Sequence, residues 1–296
     1  MKHNIKITFF LLSMFIVTQF IGIFVVNHYI QAGNNLPYGM SPPQAEQESD
    51  FFTSFLPSII IAFIIAIVVL FLLIKFNAEA VLKVWFFVVV AIALGITFSS
   101  LLPNFANKEL FVLIVALPLA FFKIFQRNFI VHNATELLIY PGIAAVFVPM
   151  LNIWTIIILL ILISFYDMWA VWHSGIMQRM AKYQINKLKV FSGFFLPYAS
   201  KQVREKIRNM KKSELKTKKI KVNLAILGGG DVIFPIITAG VALKTLGLGA
   251  ALLVIAGATL GLAYLFFSAE KKKFYPAMPF ITIGIFVGLI ISYFLF

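Results

Sequence analysis

The sequence has no cysteine among its 296 residues. That absence excludes disulfides, thiol nucleophiles, zinc thiolates and iron–sulfur clusters together, and by itself leaves the compartment open. Charge is scarce too: Asp, Glu, Lys and Arg make up 12% of the chain, with 11 acidic residues against 25 basic ones. Histidine is limited to His3, His28, His132 and His173, which are scattered. No HExxH segment is present to hold a catalytic zinc, and no GxS segment pairs with a credible histidine for serine catalysis. His173 lies six residues after Asp167, on the opposite side of a helix that turns about 100° per residue.

What the chain has in abundance is apolar side chains, 61% of the total, with a mean hydropathy of +0.97. Such values lie outside the range of a soluble globular domain, so lipid is the solvent for most of the molecule. A run of about 20 apolar residues is needed to cross roughly 30 Å of hydrocarbon. Nine runs qualify: 7–30, 53–75, 81–102, 109–126, 134–150, 152–175, 222–243, 248–268 and 275–296. The first is longer than a signal-peptide core and no small-x-small cleavage site follows it, which makes it a membrane helix. The fifth contains Glu136 and the pair Pro141-Gly142, features of a short, kinked or partly interfacial segment. The expected fold is therefore all-α: one polytopic membrane domain, 1–296, with a six-helix part (1–175), a loop (176–221) and a three-helix part (222–296).

Lysine and arginine accumulate on cytoplasmic loops. With the N-terminus inside, alternation of nine spans puts 23 of the 25 basic residues inside and only Lys108 and Lys244 outside. The bias predicts a cytoplasmic N-terminus and an outer C-terminus. Fourteen basic residues lie between Arg179 and Lys221, so this loop accounts for most of the net charge of +14. In a membrane chain such a stretch sets topology and attracts anionic headgroups; nucleic acid is not an expected partner. Within the loop, Val190 to Tyr198 is an apolar island that either lies flat in the interface or gates access.

Two of the three aspartates sit inside apolar runs: Asp167 in LISFYDMWAVW and Asp231 in ILGGGDVIFP. An ionisable group at membrane depth costs several kcal/mol and is a functional candidate by default. Asp167 precedes Arg179 by 12 positions and Asp231 follows Lys221 by 10, or about 18 Å and 15 Å of helix. The two spans are joined through the cytoplasmic loop and run antiparallel, so the carboxylates share a depth to within about one turn. In contact at low dielectric they cannot both ionise, and the pair holds one proton. That state suits peptide hydrolysis: one member takes a proton from attacking water while the other polarises the amide carbonyl and supplies the leaving amine. No metal or cofactor is required. Gly228, Gly229 and Gly230 remove side chains just before Asp231, where a substrate backbone would approach; the plainer role of such residues is close helix packing, as for Gly257 and Gly261.

These residues resemble the presenilin and signal peptide peptidase family of GxGD-type intramembrane aspartyl proteases. Tyr166-Asp167 is similar to its YD motif, Gly228-Gly229-Gly230-Asp231 to its GxGD motif, and Pro276-Ala277-Met278 to its PAL motif at the start of the last helix. Three short motifs in the right order and the right spans are specific together where each alone is weak. The resemblance implies a nine-helix membrane protease with Asp167 and Asp231 as catalytic residues. It also implies a water-filled cleft between the sixth and seventh helices, and a proline-alanine turn that helps to hold an unwound segment of a substrate's transmembrane helix. Met278 departs from the family's leucine, a change of similar volume and greater flexibility. Presenilins place the N-terminus in the cytoplasm, which agrees with the charge bias, whereas Pro235 after GGGDVIF is more like the signal peptide peptidase version. The resemblance leads us to expect a chain that works in the bilayer alone or as a homo-oligomer.

Two other readings use the same carboxylates. A transporter or channel relays protons or cations through buried acids in glycine-interrupted helices, but no inverted repeat is evident. A prepilin or preflagellin peptidase shares GxGD but lacks the proline-alanine motif.

Overall fold

A computed structural model of the chain describes residues 5–40, 78–126, 128–174, 190–198, 223–269 and 275–295, with scattered positions between 57 and 76. Most of the expected second span and of the basic loop lies outside the described residues.

Eight α-helices are present among them: α1 (Ile5–Gln31), α2 (Glu79–Leu101), α3 (Lys108–Phe125), α4 (Phe129–Phe147), α5 (Ile153–Trp169), α6 (Gly229–Leu246), α7 (Leu248–Ser268) and α8 (Met278–Leu295). Seven are long and apolar enough to cross a membrane. The exception is α3, which carries Lys108, Glu109 and Lys123 within 18 residues. The expected count of nine spans is therefore not reached among the described residues.

A second correction concerns the all-α expectation. The seventh span does not begin as helix at 222: Asn223–Gly228 is a strand, β2, and the helix starts at Gly229. The apolar island forms its partner, β1 (Gly193–Tyr198). The two are antiparallel, in a register running from Gly193 opposite Gly228 to Tyr198 opposite Asn223. Gly228 is the physical switch, with an extended backbone (φ −63°, ψ 148°) at the N-cap of α6.

Helix α4 runs through Pro141 without a break. Next to it α2 packs closely: the Thr97 hydroxyl donates to the Leu138 carbonyl at 2.6 Å, and Gly142 lets the α2 backbone at Ala93 approach where a Cβ would collide. Between α7 and α8 the same device is used twice over. Gly257 and Gly261 face Gly284, Gly288 and the Phe280 carbonyl so closely that any side chain would strike backbone. In lipid there is no hydrophobic force between helices, and van der Waals contact of bare backbones is what holds such a pair.

Helix α6 occupies the centre, touching α1, α4, α5, α7 and α8. Gln19 of α1 donates to the Val232 carbonyl of α6 at 3.0 Å. Large apolar side chains such as Phe9, Trp85, Leu260 and Phe294 point outward, as a lipid-facing surface requires.

Candidate active site

Helix α5 is started by Asn152, whose side chain accepts from the Thr155 amide at 2.9 Å, and it carries Asp167 near its C-terminal end, where an irregular turn, Ala170–Ser174, follows. Asp231 is the third residue of α6. Both carboxylates are buried, at 7% and 8% exposure. Helices α5 and α6 are in contact, and the two carboxyl groups lie within electrostatic reach of each other.

Each is also held by backbone amides. Oδ2 of Asp167 accepts from the Met278 amide at 3.0 Å, and the Ala277 amide donates to the same carboxyl group. Met278 is the first residue of α8, so Asp167 sits where helix N–H groups have no partners of their own and where the helix dipole favours negative charge. One turn further along, Ser164 of α5 donates to Thr282 of α8 at 2.9 Å, fastening the two helices. Asp231 receives a hydrogen bond from the Gly228 amide. The Pro276-Ala277-Met278 segment thus contributes backbone donors, with Pro276 and the Met278 side chain buried beneath them.

The three glycines differ. A Cβ on Gly228 would stand 3.1 Å from Oδ2 of Asp231, and one on Gly229 would meet the Ser192 hydroxyl at 2.7 Å and the Tyr140 hydroxyl at 2.8 Å. Gly230 faces open space, with nothing nearer than the Phe234 ring at 3.7 Å. Tyr166, by contrast, is not brought to the cluster. It is half exposed and lies beside Trp169, with ring centroids 6.4 Å apart.

Two neighbours carry no sequence signal of their own. Tyr140 of α4 is buried, packs edge-on to Phe194 of β1 at 5.8 Å, and directs its hydroxyl towards Gly229, beside Glu136 and Ser192. Ser192, just before β1, brings its hydroxyl to the same side of Gly229 as that of Tyr140. Among the described residues, no three His, Asp or Glu side chains group as a metal site would require.

The family model described as signal-peptide peptidase, presenilin aspartyl protease matches residues 12–296. Among solved structures, the chain is similar to a presenilin family intramembrane aspartate protease in the C222 space group, with a TM-score of 0.62, 18% identity and coverage of 98% of this chain and 99% of that one. A presenilin family intramembrane aspartate protease in the P2 space group matches with a TM-score of 0.61, 19% identity and 97% of each chain covered. At these identities the likeness is one of fold. A search of curated proteins returned no match.

Proposed function

The chain belongs to the signal-peptide peptidase, presenilin aspartyl protease family, and from that membership we propose that it hydrolyses peptide bonds within transmembrane helices of other membrane proteins, using Asp167 and Asp231. It is an aspartyl protease and a multi-pass integral membrane protein. The observation that carries the residue assignment is the burial of two carboxyl groups, on adjoining helices, within electrostatic reach of each other. With one proton between them, the ionised member accepts a proton from water as the water oxygen attacks the scissile carbonyl. The protonated member hydrogen-bonds the carbonyl oxygen, and a proton passes to the departing amine as the C–N bond breaks.

A helical substrate must be unwound before its carbonyl can be reached, and β2 provides a surface suited to an extended chain. On β1, the N–H and C=O of Phe195 both bond to Asn133 and point away from β2. In an antiparallel pair the opposite residue, Ile226, then turns its own N–H and C=O towards the other edge, as do Leu224 and Gly228. Among the described residues no side-chain hydrogen bond reaches Ile226 on that edge, which leads to Gly228, whose amide is taken by Asp231. Strand addition supplies affinity through main-chain hydrogen bonds alone and tolerates varied substrate sequences. The lysine and arginine distribution supports a cytoplasmic N-terminus and an outer C-terminus.

The test is purified protein in liposomes with a single-span substrate. New substrate termini, suppressed by an aspartyl-protease transition-state mimic, are the expected result. Proton or cation flux without new termini would overturn the reading in favour of transport.

A further inference from the structure

Along one face of α4, His132, Asn133 and Glu136 all reach β1. The Asn133 carboxamide does what a neighbouring strand would do: Nδ2 donates to the Phe195 carbonyl at 2.9 Å and Oδ1 accepts from the Phe195 amide at 3.1 Å. Two residues earlier on the strand the pattern repeats with two side chains. His132 Nε2 lies 2.8 Å from the Gly193 carbonyl, and Glu136 Oε1 accepts from the Gly193 amide at 3.4 Å. Behind them Lys123 of α3 is buried. Its Nζ bonds Glu136 Oε1 at 2.5 Å and lies 3.4 Å from His132 Nδ1. With Nδ1 accepting from the ammonium, the ring hydrogen sits on Nε2 and is donated to Gly193, so the polar groups form a consistent chain. Pro197, next on the same edge, has no N–H to satisfy.

A buried ion pair contributes little stability over apolar packing of similar volume, and charged groups within a membrane bundle generally serve a function. Here the feature they share is the outer edge of β1.

We propose that Asn133, supported by His132, Glu136 and Lys123, acts as a fixed side-chain strand that closes the outer edge of β1, so that an extended substrate pairs only along β2 and meets the catalytic pair in one register. Asn133 is on this account a positioning residue; it rests on the reading of β2 as the substrate edge. An uncovered β1 edge would offer a second pairing template of similar length, and a strand slipped by one residue turns every side chain to the other face.

The experiment uses the full-length protein and its Asn133→Ala and Asn133→Asp variants. Asp keeps the size and the acceptor for the Phe195 amide but loses the donor to the Phe195 carbonyl. Amide hydrogen exchange at Phe195 is compared with that at Phe194 and Leu196, which pair with β2. Cleavage positions in a single-span substrate are read by mass spectrometry, and binding of a transition-state mimic is measured alongside. In the parent the Phe195 amide is expected to be protected. In Asn133→Ala its exchange should rise at least tenfold, with Phe194 and Leu196 slower to respond. Both variants should bind the mimic yet spread their cuts over neighbouring bonds. Parental product ratios, absence of product, or loss of mimic binding in both variants would overturn the proposal. A freely exchanging Phe195 amide in the parent would overturn the clasp itself. A parent that yields no product would instead sink the protease reading on which the clasp rests, and the exchange data tell the two failures apart.

Discussion

The backbone amide of Met278 donates to Oδ2 of Asp167 at 3.0 Å, joining residues 111 positions apart and tying a buried carboxylate to the first turn of the last helix. The donor is the main chain, so the identity of the side chain at 278 is free to vary as long as it packs.

This separates two substitutions. Met278→Leu changes a buried side chain for one of similar volume and should cost under about 1.5 kcal/mol in stability, with cleavage near the parental rate. Met278→Pro stands at the first helical position, where proline is well tolerated, and deletes the N–H together with the buried side chain, whose own loss Met278→Ala measures. Loss of a hydrogen bond to a charged group is worth about 1.5–3 kcal/mol, so kcat should fall by one to two orders of magnitude. Side-by-side kinetics on one single-span substrate measure the contrast.

The glycines before Asp231 predict a second contrast. Gly229→Ala presses on the Ser192 and Tyr140 hydroxyls and should destabilise the protein by about 1–3 kcal/mol, as overpacking does. Gly230→Ala meets no protein atom closer than ordinary contact and should leave thermal stability unchanged. Because that face is open towards an approaching backbone, cleavage of a single-span substrate should nevertheless drop. Thermal unfolding in detergent beside an activity assay distinguishes a fold effect from a substrate effect.

Orientation can be read directly, since the chain has no cysteine. Single cysteines at Lys2 and at Lys108 should be labelled by a membrane-impermeant maleimide from opposite sides, Lys108→Cys from outside and Lys2→Cys only after permeabilisation. The reverse pattern would invert the topology.

The two aspartates were legible because a carboxylate in an apolar run is conspicuous, and the membrane class followed from composition. The sheet was not. Asn223–Gly228 reads as NLAILG, an apolar lead into the next helix; a run so short cannot be told from helix by periodicity. Its partner lies 30 positions upstream of Asn223 at the start of its own strand, beyond a basic loop, and pairing across such a distance leaves no local pattern. Glu136 stood out only as a flaw in its span. Its partner Lys123 counts in the sequence only as one of the basic residues on the inner side, and only the packing of α3 on α4 turns the two into a buried pair. Tyr140 and the Met278 amide gave no signal, one being an ordinary core aromatic and the other a backbone group.

The central claim is most directly tested with Asp167→Asn and Asp231→Asn, each nearly isosteric with the parent. In liposomes with a single-span substrate, each variant alone should remain folded and abolish the appearance of new substrate termini. A variant that keeps cutting at more than a small fraction of the parental rate would contradict the pair as the source of catalysis.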